Sequence, residues 1–158
     1  MELEPVFIPA YVNLADLHRS AGRDDLGEWV LERALARSPQ EPDVLHALGL
    51  LRIRQGRRSD ALEFLRDASE RAPERMRYAL VYAVALHSSG RTGEALEWLE
   101  AARLRRPGDR SVLYSLATIA RDAGDTPRAL GHARTLRDVS PEDPRAAALV
   151  RELERTGD

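Results

Sequence analysis

Five prolines, Pro5, Pro39, Pro73, Pro107 and Pro141, stand 34 residues apart. Proline cannot continue a helix, because it lacks the N–H and its ring clashes with the preceding turn. A fixed period of this length therefore punctuates a small helical unit that is stacked several times. Such arrays rarely do chemistry. They usually present an extended surface to a partner.

The period extends beyond proline. Gly22, Gly56, Gly90 and Gly124 keep it, as do the small residues Ala15, Gly49, Ala83 and Ala117 and the set Gly27, Ala61, Ala95 and Ala129. Large apolar residues follow at Leu14, Leu48, Tyr82 and Leu116, and at Leu31, Leu65 and Leu99. The register predicts four units, 8–41, 42–75, 76–109 and 110–143. Each reads as two helices. In the second unit Val44, Leu45, Leu48 and Leu51 have helical spacing, and the glycine that follows supplies a left-handed C-cap. The second helix is expected to start on an N-cap: Thr126 before Pro127, Thr92, Ser59, and Asp24 or Asp25. The recurrent small residues allow the two helices of a hairpin to approach closely.

Composition excludes several classes. The chain is 43% hydrophobic and 32% charged, as expected of a packed domain rather than a disordered one. No stretch approaches the ~20 apolar residues of a membrane span, and no basic region precedes an apolar one at the N-terminus, so neither membrane insertion nor a signal peptide is expected. Cysteine is absent, which removes disulfides, thiolate chemistry and CxxCH haem attachment from these residues. All 24 basic residues are arginine. A GC-rich genome explains that bias, and recognition of carboxylates by guanidinium forks is the alternative. Arginine alternates with Asp and Glu, and the net charge is −2, so nucleic acid is not an expected partner.

These periodic residues resemble the tetratricopeptide repeat, with Leu48, Gly49, Ala61, Leu65, Ala68 and Pro73 of the second unit matching its pattern. The resemblance implies an all-α fold: a right-handed α-solenoid of four helix-turn-helix units, followed by a C-terminal capping helix over 144–156. In this family the first helices of successive units line a groove that binds a protein or peptide. Carried over, the groove holds Val12, Asn13, Asp16 and Arg19; Asp43, His46, Leu50 and Arg54; Arg77, Leu80, Val84 and His87; and Tyr114, Thr118, Arg121 and Asp122. An apolar centre with surrounding charges suits an extended or helical peptide. Some family members clamp the C-terminal carboxylate of chaperones. The matching positions here are Val12, Asp16, Ala47, Arg77 and Val81, of which only Arg77 suits an anion, so that role is not expected.

No enzyme is expected, and no cofactor or metal. The four histidines form no i, i+4 pair, and nothing resembles GxSxG. His46 is expected to approach Asp16 as a solvated surface pair. Trp98 is expected in the core, whereas Trp29 either marks an exposed contact surface or folds over Glu28 and Arg33. Ala148, Leu149 and Leu153 are expected to cover the last hairpin, with Arg145, Arg151, Glu152 and Arg155 facing water. Pro5 closes a unit whose other residues are missing. The chain therefore reads as the C-terminal piece of a longer array, with self-association possible through the uncapped first repeat. The stretches 6–16, 82–90 and 116–125 are also similar to C-terminal segments of bacterial multihaem c-type cytochrome-like proteins. That likeness implies a non-catalytic accessory domain in the periplasm. A cytoplasmic scaffold is the default reading, and a structural spacer without a groove ligand is the third.

Overall fold

A computed structural model describes residues 7–156. Among these residues all regular structure is helical: α1 (Ile8–Ser20), α2 (Asp24–Arg37), α3 (Pro42–Arg54), α4 (Arg58–Arg71), α5 (Met76–Ser88), α6 (Thr92–Arg105), α7 (Arg110–Asp122), α8 (Thr126–Val139) and α9 (Pro144–Thr156). Helix starts at 8, 42, 76, 110 and 144, and again at 24, 58, 92 and 126, keep the 34-residue spacing. The chain is an all-α helical repeat of the solenoid class. Pro5 lies outside the described residues.

The turn inside each hairpin is set by local backbone geometry. Gly22, Gly56, Gly90 and Gly124 all have φ between 70° and 80°, a region that side chains disfavour. Around Gly22, the Arg23 N–H donates to the His18 carbonyl at 2.9 Å and the Gly22 N–H to Arg19 at 3.0 Å. This is a Schellman closure, which satisfies carbonyls the helix end would otherwise leave bare. The residue after each glycine thus ends one helix and caps the next. The N-caps are therefore Arg23, Arg57, Arg91 and Asp125. Asp24, Ser59, Thr92 and Thr126, expected to cap, already lie inside their helices. Of these four, only Asp125 caps with its side chain, accepting from the Arg128 N–H at 3.1 Å. Arg57 and Arg91 reach forward instead to Asp60 and Glu94, each at 2.6 Å.

Packing divides the chain into two compact units, with the boundary after Tyr78, inside α5. In the first unit α1 packs on α2, α2 on α3, and α3 on α4. Its core joins Val30, Leu31 and Ala34 of α2 to Val44, Leu48 and Leu51 of α3. Each large side chain buried there contributes about 1.5–3 kcal/mol. A Cβ on Gly49 would come within 2.6 Å of the Leu65 side chain, so α3 and α4 approach closely there and a larger residue would require that side chain to shift. Arg52, almost fully buried, takes Glu28 of α2 at 2.5 Å, and the Gln55 amide donates to the same carboxylate at 2.6 Å. Burial would raise the Glu28 carboxyl, but the hydrogen bonds from Gln55 and Arg52 outweigh it and hold the group below its usual range. Trp29 is exposed, with the Arg33 guanidinium 4.8 Å from its ring centroid.

In the second unit α6 packs on α7, α7 on α8, and α8 on α9. Trp98 is half-buried and meets Tyr82 edge-on, ring centroids 5.0 Å apart. Asp143 caps α9 by accepting from the Arg145 N–H at 2.9 Å. The buried stripe of α9 is Ala146, Leu149, Val150 and Leu153, one face at helical spacing. Ala148, expected to cover the last hairpin, is off that stripe and exposed.

Candidate functional site

In the first unit α1 and α3, with the start of α5, line a cleft of about 640 Å³. All eight residues expected from α1 and α3 line it, Val12, Asn13, Asp16 and Arg19 from α1 and Asp43, His46, Leu50 and Arg54 from α3, together with Arg77, one of the four expected from α5. Helical spacing explains the shared face, since within each helix these residues recur at about one turn. Val12, Ala47 and Leu50 supply apolar surface between the charges.

Most of the charges are already matched. Arg19 pairs with Asp16 at 3.1 Å. Arg54 forks onto both carboxylate oxygens of Asp24, at 3.2 and 3.3 Å. Asp43 accepts from Arg75 and from the Tyr78 hydroxyl. Burial, reinforced by that carboxylate, pushes the Tyr78 phenol up to about 12. Among the described residues Arg77 has no carboxylate partner, and it is exposed. The Asn13 amide is likewise exposed.

His46 departs from the expectation of a solvated pair with Asp16. It is only 5% exposed and stacks on Tyr78, ring centroids 4.3 Å apart at 25°. Neither ring nitrogen has a hydrogen-bond partner. Burial lowers its pKa to about 4, the Arg77 charge adds to that, and Asp43 opposes it. The ring is therefore neutral at pH 7, and Asp16 turns to Arg19 instead. Tyr78 and Ile53 also line the cleft without having been expected. The signal for Tyr78 was its register: it stands where the other units carry Ala10, Val44 and Val112, positions that belong to the core in the later units.

The second unit distributes its expected residues differently. Leu80 and Tyr114 line a smaller cleft of about 320 Å³ with Arg110 and Arg145. Val84 is exposed. The Thr118 hydroxyl donates to the carbonyls of Tyr114 and Ser115 in its own helix. Arg121 is held by Asp122 and by Glu152 of α9, at 3.0 and 3.1 Å. His87 Nδ1 lies 3.0 Å from the Thr92 hydroxyl, and its Nε2 lies 3.8 Å from Asp122. That last distance is too long for a hydrogen bond, so the base-orienting contact of a catalytic triad is not made. No cluster of three metal-ligating side chains occurs among the described residues. No helix among them is long and apolar enough to cross a membrane.

A family profile for the tetratricopeptide repeat matches residues 4–139. No curated sequence gives a significant match. Among solved structures, PilF of Pseudomonas aeruginosa superposes with a TM-score of 0.78 at 20% identity, covering 94% of this chain and 68% of that one. MamA gives 0.77 at 17% identity, with 90% and 84% covered. YrrB, described as a tetratricopeptide repeat protein with an unusual peptide-binding site, gives 0.71 at 15% identity, with 93% and 76% covered. At these identities the likeness concerns the fold.

Proposed function

The chain belongs to the tetratricopeptide repeat family, and from that premise we propose that it is a non-catalytic scaffold that binds a protein or peptide in the cleft of its first unit. Membership supports an interaction scaffold in general. One observation carries the finer reading. Nine of the side chains carried over from the family's groove positions line a single cleft, and within it Arg77 has no carboxylate partner among the described residues. The paired charges Asp16–Arg19 and Arg54–Asp24 are spent inside the protein. Recognition therefore falls to the apolar floor at Val12 and Leu50, to the Asn13 amide and to Arg77. A peptide with one apolar anchor and an acceptor group beside it matches this set.

The test is recovery of bound protein or library peptides by the wild-type chain and by Arg77→Glu combined with Leu50→Asp, each first checked for an unchanged helical spectrum. The double variant is expected to lose the recovered partner. Equal recovery by the two proteins refutes the cleft as the binding site.

A further inference from the structure

The smaller cleft, in the second unit, carries charge that the repeat does not require. Its volume of about 320 Å³ is at the low end for a ligand cleft. Arg110, Ser111, Tyr114 and Ser115 reach it from α7 and Arg145 from α9, while Leu80 and Leu136 add apolar surface. Arg110 stands in register with Ile8, Pro42, Met76 and Pro144, so each of the other helices at this position opens on an uncharged residue. The first turn of a helix is also a poor place for a cation, because the dipole is positive there. Neither the period nor the stability of α7 accounts for this arginine.

The donors of the cleft are largely unspent. Among the described residues Arg110 has no carboxylate within ion-pair distance, and the hydroxyls of Ser111, Ser115 and Tyr114 make no hydrogen bond. Asp143 also lines the cleft. Arg145 holds it, with Nε and a terminal nitrogen each 3.3 Å from a carboxylate oxygen. Those hydrogen bonds, with the Arg110 charge added, keep the Asp143 carboxyl below its usual range. Two guanidiniums and one carboxylate leave a single positive charge at the site.

We infer that this cleft binds a side-chain carboxylate of a partner protein, an aspartate or glutamate next to an apolar residue that rests on Leu80. Arg110 and the free hydroxyls supply the donors, and hydrogen bonds to an ionised acceptor are the strong kind. One carboxylate matches the one net positive charge. A phosphate group carries about −1.5 to −2, which would set uncompensated negative charge beside Asp143. The site is separate from the cleft proposed above, since all of its residues belong to the second unit.

The probe is a labelled hexapeptide of alternating leucine and glutamate, acetylated and amidated so that its side chains hold its only carboxylates. Titrated with the full chain, it should show saturable polarisation. Arg110→Gln should weaken binding about tenfold. Arg106→Gln makes the same change of charge at an exposed residue outside the cleft and should leave binding nearly unchanged. Glutamine in place of glutamate in the peptide should cost about as much as Arg110→Gln, and the two losses should not add, as for groups in direct contact. Arg110 is exposed and unpaired, so its variant should keep the helical spectrum of wild type. The inference is overturned if the peptide does not saturate, or if Arg110→Gln weakens it no more than Arg106→Gln does. It is also overturned if a phosphoserine peptide, or a glutamine peptide with a free C-terminus, binds more tightly through Arg110. If Arg77→Glu with Leu50→Asp abolishes binding while Arg110→Gln keeps it, the peptide sits in the first cleft: this inference then fails and the proposed function stands.

Discussion

Replacing His46 by Phe separates two contributions of one side chain. The aromatic face that stacks on Tyr78 is kept, and the two unpartnered nitrogens are removed. A buried polar group left without a partner costs about 1–3 kcal/mol, so His46→Phe should be more stable than wild type at pH 7 by an amount in that range. The pH dependence is the sharper readout. The folded pKa is about 4 against an ordinary value of 6.5, so the unfolded chain takes up the proton first. The stability attached to the neutral ring is fully present above pH 6.5 and is lost as pH falls toward 4. Linkage then gives wild type a loss of about 2 kcal/mol between pH 7 and pH 5 that the variant does not share. Urea denaturation of both proteins at pH 7, 6 and 5 measures it, because carboxylates and the other histidines act alike in the two chains. Parallel loss of stability in wild type and variant over that interval would refute the burial argument.

Two further substitutions test the packing. Gly49→Ala should destabilise despite the better helix propensity of alanine, because a gain of about 1 kcal/mol competes with an overpacking cost of about 1–3 kcal/mol against Leu65; a variant that melts higher than wild type would show that α3 and α4 can move apart freely. Glu28→Gln should cost about 3 kcal/mol by leaving the Arg52 guanidinium buried without its main counter-charge, read from denaturation midpoints, and a cost below about 1 kcal/mol would mean that the other partners of Arg52, Glu32 at 3.6 Å and the Gln55 amide oxygen at 2.8 Å, suffice.

Helix positions were legible because the repeat punctuates itself: a glycine that needs positive φ and a proline that cannot stay helical recur in every unit. The N-caps were displaced because the residue after each glycine serves both helices, and a propensity reading gives that place to the nearest Ser, Thr or Asp. That the cleft residues of α1 and α3 share one face was legible because helical register fixes which face a residue occupies. Register does not fix depth. His46 was expected in water, yet it is stacked under Tyr78, because Tyr78 comes from a helix more than thirty residues away. Arg52 is a charged residue on the buried side of α3, and its burial depends on Glu28 of a different helix. On α7, Arg121 is tied to Glu152 of α9, a partner that periodicity alone does not supply.

The glycine closures carry a consequence for how the chain comes to be folded. Each turn is completed by hydrogen bonds spanning five residues or fewer, and each hairpin packs against sequence neighbours. Little loop entropy must be lost before contacts form, which favours rapid folding from local nuclei. It also makes the 34-residue segment the natural quantum of change. Excising or duplicating one whole unit leaves every turn intact, whereas the loss of a single residue from α3 would rotate Asp43 and His46 by about 100° relative to Leu50 and Arg54. Substitution within a unit and copying of whole units are therefore the routes by which such a chain can acquire new surfaces.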